Sequence, residues 1–106
     1  MICAGGGNDV VYGGGGNDVI RGGEGNDVLR GNDGDDRLSG QAGNDIVRGG
    51  SGQDRLVGGS GKDVAQGQGG LDSVDVSDDV RANDVASGGP GSGSCSADPG
   101  DARRGC

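Results

Sequence analysis

Between residues 4 and 75 an aliphatic side chain recurs every nine residues, as Val11, Ile20, Leu29, Leu38, Val47, Leu56, Ala65 and Val74. Each is the middle member of a triplet such as Val10-Val11-Tyr12 or Arg37-Leu38-Ser39. Such a triplet alternates outward, inward, outward, which is the period of two of a strand. Val and Ile at its other positions suit a pleated surface. The six residues before each triplet are mostly Gly, Asn and Asp, as in Gly13-Gly14-Gly15-Gly16-Asn17-Asp18, and predict a tight turn. The pattern therefore predicts an all-β chain of short strands separated by glycine-rich turns.

Set in nines from Ala4, the chain reads AGGGNDVVY, GGGGNDVIR, GGEGNDVLR, GNDGDDRLS, GQAGNDIVR, GGSGQDRLV, GGSGKDVAQ and GQGGLDSVD. Position 4 is glycine and position 6 aspartate in all eight units. Met1-Ile2-Cys3 fits positions 7 to 9 of a preceding, truncated unit. Composition alone, with 29 glycines and 28% hydrophobic residues, would read as low complexity. The strict period overrides that reading, because repeats at a fixed spacing mark stacked architectures. Glycine at positions 1, 2 and 4 is expected to supply backbone angles with φ > 0 and to let carbonyls crowd a ligand.

These units resemble the RTX (repeats-in-toxin) nonapeptide Gly-Gly-x-Gly-x-Asp-x-U-x of the haemolysin-type calcium-binding repeat family. The resemblance covers Ala4 to Asp75. It implies a parallel β-roll, a right-handed solenoid with two nonapeptides per coil, in which the turn holds calcium and the triplet forms the strand. Eight units then give about four coils, followed by an irregular C-terminal cap. On that architecture Asp9, Asp27, Asp45 and Asp63 form one column, and Asp18, Asp36, Asp54 and Asp72 the other. Carboxylates one strand spacing apart, about 4.8 Å, repel by roughly 1 kcal/mol in water and about 3 kcal/mol at an effective dielectric near 20. A cation between them reverses the sign of that interaction.

Calcium fits the donors on offer. It takes about six to eight oxygens and mixes carboxylates with backbone carbonyls, whereas magnesium demands strict octahedral geometry and keeps its waters. Zinc is disfavoured by the absence of histidine and the scatter of the three cysteines. Each column of four aspartates has three intervals, so up to six calcium sites are expected, with binding coupled to folding. Position 5 drifts from Asn8, Asn17, Asn26, Asp35 and Asn44 to Gln53, Lys62 and Leu71, and position 2 departs from glycine at Asn32, Gln41 and Gln68. The sites nearest Asp63 and Asp72 are accordingly expected to be weaker.

After Asp75 the frame breaks, and skipping Val76-Ser77-Asp78 restores it, with Asp84 and Gly93 at position 6. Asp84 reads as a remnant in a degenerate coil, the alternative being a weak ligand. Residues 1–75 are thus expected to be the calcium-binding roll and 76–106 degenerate repeats with a cap or tail. Cys95 and Cys106 are placed to close a short loop by a disulfide, the alternative being free thiols; Cys3 is then left over. Paired cysteines and a calcium requirement both point to an oxidising, extracellular setting, although no secretory signal stands at Met1.

The net charge of −8 argues against nucleic acid and anionic membranes as partners. No apolar run is long enough for membrane insertion. With no histidine and no paired nucleophile and base, the chain is not expected to be an enzyme. Position 7 of one column, Val10, Val28, Ile46 and Val64, makes an aliphatic stripe that suggests lateral self-association, the alternative being β propensity alone. Two readings of function follow: a secreted or surface calcium-binding repeat protein, or a piece of a larger RTX enzyme, toxin or adhesin whose activity lies in another domain.

Overall fold

The structure, a computed structural model, describes residues 1–76, 84–88, 94–96 and 102–104. It contains the strands β1 (Ile2–Cys3), β2 (Val10–Gly14), β3 (Val19–Glu24), β4 (Val28–Asp33), β5 (Arg37–Ala42) and β6 (Ile46–Ser51). They are followed by β7 (Arg55–Ser60), β8 (Val64–Gln68), β9 (Ser73–Asp75), β10 (Val85–Ser87), β11 (Ser94–Ser96) and β12 (Ala102–Arg104). Odd strands form one six-stranded parallel sheet in the order β1-β3-β5-β7-β9-β11, and even strands the other, β12-β10-β8-β6-β4-β2. The chain crosses between the sheets at every turn and winds a parallel β-roll of about five turns.

The register follows the ninefold period. Leu38 lies between Ile20 and Leu56 in one sheet, and Val47 between Leu29 and Ala65 in the other. Ile20, Leu29, Leu38, Val47, Leu56, Ala65 and Val74 are fully or almost fully buried, and Ile2, Val11 and Cys95 pack against them. The core is one inward side chain deep from each sheet, and the molecule is only 13 Å across its thinnest direction. That dimension is close to the spacing of about 10 Å between two sheets packed face to face.

Three features go beyond the sequence reading. The strands run past the triplet: β5 includes Gly40, Gln41 and Ala42 of the next unit, because Gln41 pairs with Gly23 and Ala42 with Glu24 in the coil before. The roll also does not stop at Asp75. β10 pairs with β8, β11 with β9 and β12 with β10, so chain beyond the frame break extends both sheets and about five turns form instead of four. Val76, the first residue skipped by the frame, is itself fully buried in the core.

The third concerns glycine. At position 4, Gly7 to Gly70 all have φ between 87° and 119°. A Cβ on Gly43 or Gly34 would overlap the carbonyl of Gly25 or Gly16 in the coil before. Position 1 obeys a different rule from the expected one, since its glycines are not in the positive-φ region. They are required by close approach: a Cβ on Gly22 would stand 2.5 Å from Asp27 Oδ2 and 2.9 Å from the Gly40 carbonyl oxygen. Position 2 also needs the angle: Asn32, Gln41 and Gln68 meet it with φ of 73°, 75° and 72°, whereas at Gly23, Gly50 and Gly59, with φ of 98° to 102°, a Cβ would again overlap a carbonyl of the coil before.

Candidate metal centre

The turn preceding each strand places its position-6 aspartate at the corner where the chain enters the sheet. Its main-chain carbonyl is consumed by the ladder: Asp27 O accepts from Ile46 N and Asp36 O from Arg55 N, both at 2.8 Å. Its side chain points into the corner. Asp27, Asp36, Asp45, Asp54, Asp63 and Asp72 are all at most 3% exposed, while Asp9 and Asp18 at the open end are half-buried.

The eight aspartates stand in the two columns that the two-unit coil requires, and a hydrogen-bond ladder ties each column together. The backbone N–H of Asp9 donates to Asp27 Oδ1, that of Asp27 to Asp45 Oδ1 and that of Asp45 to Asp63 Oδ1, at 2.8 to 2.9 Å. In the other column Asp18 donates to Asp36, Asp36 to Asp54 and Asp54 to Asp72, at 2.7 to 2.8 Å. One carboxylate oxygen is thus used to hold the coil. The second oxygen, Oδ2 of Asp9, Asp18, Asp27, Asp36, Asp45, Asp54 and Asp72, is buried and accepts no hydrogen bond.

These oxygens lie beside backbone carbonyls of the adjoining coil: a Cβ added to Gly13 would stand 2.7 Å from Asp18 Oδ2 and 2.9 Å from the Gly31 carbonyl oxygen. Buried acceptors facing acceptors cost free energy unless a positive charge joins them. Among the described residues, no three acidic, cysteine or histidine side chains gather around one point. The donor set is instead one carboxylate per turn with carbonyl oxygens beside it, stacked from coil to coil. That set is oxygen only and fits a hard cation such as calcium.

The electrostatics agree. Burial raises the carboxyl pKa of Asp36, Asp45 and Asp72 above the usual value, and that of Asp54 to about 6. Hydrogen bonds from the backbone of the preceding aspartate offset part of this, and neighbouring carboxylates of the same column push Asp36, Asp45 and Asp54 further up.

Of two further groups in this arrangement, the first was undervalued from the sequence and the second was missed. Asp84 is 2% exposed and its Oδ1 accepts from Asp63 N at 2.6 Å, so it continues the first column across the frame break. The signal was its position 6 in the restored frame. Position 5 forms a second, exposed ladder running the opposite way: Asn26 N donates to Asn8 Oδ1, Asp35 N to Asn17 Oδ1, Asn44 N to Asn26 Oδ1 and Lys62 N to Asn44 Oδ1. The recurrence of Asn at that position was visible, but its use by the next coil was not. The backbone N–H groups of Gln53 and Lys62 still donate there, but Gln53, Lys62 and Leu71 offer no short carbonyl side chain of the same kind. Cys3 is exposed and free, Cys95 lies inward opposite Val74, and Cys106 and Gly93 lie outside the described residues.

The RTX calcium-binding nonapeptide repeat family matches the chain four times, over residues 4–29, 21–56, 30–65 and 48–80. The chain belongs to this family. RTX repeats bind Ca2+, and the RTX roll is a structural calcium-binding module rather than a catalytic one. No curated protein and no solved structure matches the chain.

Proposed function

We propose that this RTX roll is a calcium-dependent folding module, in which Asp9, Asp18, Asp27, Asp36, Asp45, Asp54, Asp63 and Asp72 hold up to six calcium ions between successive turns. The observation that carries the proposal is the pair of columns of buried Oδ2 atoms that accept no hydrogen bond. Calcium supplies the positive charge those oxygens lack. The aspartates hold the coils together through Oδ1 and present Oδ2, and the glycines at position 1 keep the space beside it open. Residues 1–75 form the calcium-holding unit and 76–106 its C-terminal cap, closed by a Cys95–Cys106 disulfide; the setting is extracellular, where such a bond persists.

A calcium titration followed by far-UV circular dichroism, with magnesium as control, tests this. The expected result is a coil-like spectrum without metal and a cooperative gain of β signal with calcium. Replacing Asp27, Asp36 and Asp45 by Ala raises the calcium midpoint; an unchanged midpoint removes these residues as ligands.

The stripe Val10, Val28, Ile46 and Val64 is continued by Val85, in register with Val64, and Val10 and Ile46 are well exposed. It supports lateral association of rolls in the presence of calcium. Sedimentation at rising protein concentration is expected to show a dimer or larger species that Ile46→Lys abolishes. A strict monomer at high concentration removes the association.

A further inference from the structure

The arginines of β4 and β6 have no part in the calcium columns. Arg30 and Arg48 occupy position 9 of alternate units and stand directly side by side in register. Both are half-buried, and the Nε of each is fully buried with no hydrogen-bond acceptor. Among the described residues neither is paired with a carboxylate. Asp33, three residues beyond Arg30, accepts instead from Ser51 Oγ at 2.8 Å. Two like charges one strand spacing apart repel, so this placement is unfavourable unless an anion bridges them.

The surroundings favour such an anion. A cavity of about 110 Å3 is lined by Arg30, Arg48, Asn32, Gln68, Gly49 and Gly50. The two amide side chains add hydrogen-bond donors, and the two glycines leave the floor clear of side chains. Tyr12, in the coil before, packs its ring over Arg30 with the guanidinium carbon 5.5 Å from the ring centre. That contact holds the face of the guanidinium and leaves its Nη end to meet a ligand. A planar fork of this kind matches two oxygens of a tetrahedral anion. At about 30 Å3 per water, the cavity has the room of between three and four waters. That accommodates one tetrahedral oxyanion group.

We propose that Arg30 and Arg48, with Asn32 and Gln68, form a binding site for a sulfate- or phosphate-type oxyanion on the outer face of the even-stranded sheet. The site lies in a chain of net charge −8, whose negative charge is concentrated in the turns. It therefore stands apart from the calcium columns in both position and sign, and it does not depend on the aspartates being ligands.

The test is a sulfate titration of the full chain, 15N-labelled and folded in calcium, read through the arginine Nε–H resonances. Sulfate stays in solution beside millimolar calcium where inorganic phosphate precipitates, and chloride at matched ionic strength is the control. The Arg30 and Arg48 signals, assigned by their loss in Arg30→Lys and Arg48→Lys, are expected to shift and saturate together. Those of Arg21, Arg37 and Arg55 follow only the chloride control. Arg48→Gln weakens the binding by about tenfold or more, the scale of losing hydrogen bonds between charged groups. Circular dichroism of that variant confirms that the roll is intact, and Arg30→Gln is the second variant should it not be. A parallel titration with phenyl phosphate distinguishes the source. Binding as tight as sulfate means that the site takes an ester group borne by a larger molecule, and binding of sulfate alone means a free ion. Equal shifts at Arg21, Arg30, Arg37, Arg48 and Arg55, or an affinity unchanged in both glutamine variants, overturns the proposal.

Discussion

Exchanging Gly43 for alanine is expected to prevent the roll from forming at calcium concentrations that fold the parent chain, and Gly34→Ala to do the same. At position 4 the two glycines have φ of 119° and 109°, beyond the left-handed helical region that an L-residue enters at modest cost. Strain of this kind costs about 1–3 kcal/mol. A Cβ would in addition overlap the carbonyl of Gly25 or Gly16, and relief would mean moving the neighbouring coil away. Each turn is the floor of the next, so the disturbance separates the aspartate oxygens on either side as well. The contrast is position 2 at the open end. Gly14 lies directly against Asn32, which already adopts φ of 73° in the next coil, and a Cβ on Gly14 would meet nothing within 4 Å. Gly14→Asn is therefore expected to cost no more than about 1–2 kcal/mol and to shift the calcium midpoint only slightly. Circular dichroism against calcium for both variants is the measurement. A Gly43→Ala chain that folds at the parent midpoint would show that the turn does not set the spacing of the coils.

This asymmetry between positions also shows which parts of the fold were legible in the sequence. Position 4 is glycine in every unit and position 6 aspartate in every unit because the first fixes the angle of the turn and the second fills its corner. The inward residues were legible for a similar reason: Ile20, Leu38 and Leu56 stack in one sheet because a single apolar side chain per nine can face inward only if the units are in register. The role of glycine at position 1 was not legible. Composition cannot separate a residue chosen for its backbone angle from one chosen because a carboxylate and a carbonyl already occupy the space of its Cβ. The position-5 ladder was hidden for a related reason, since an exposed asparagine looks the same whether or not the next coil donates to it. Asp84 was undervalued because the three-residue shift obscured its partner: the interval from Asp63 is 21 residues instead of 18. The Arg30–Arg48 pair was out of reach, because neither the burial of Nε nor the want of an acceptor can be read from a repeat written in nines.

The columns carry a second large consequence, in the response to acid, and its sign depends on whether calcium is present. Burial raises the carboxyl pKa of Asp36, Asp45 and Asp72 in the folded chain above the ordinary 3.8, and takes Asp54 to about 6. A carboxyl that protonates more readily folded than unfolded makes the folded state bind more protons over that interval. Stability of the metal-free roll therefore rises as pH falls. The contribution is fully present below 3.8 and is lost as pH rises through about 6. Neutral carboxyl groups no longer repel along the column, and each gains an O–H that can donate to a facing carbonyl oxygen. With calcium the direction reverses, because a ligand carboxylate must be deprotonated and protons compete with the metal. A chain stripped of metal is thus expected to gain β signal between pH 7 and pH 4.5. The same chain at a fixed, barely saturating calcium concentration is expected to lose it over that range. Two far-UV titrations, one in each condition, measure the slopes. If both fall with acid, the buried oxygens are not a shared seat for protons and calcium. If the slopes are opposite, one set of carboxylates accepts either partner, and the roll closes only when one of them neutralises its columns.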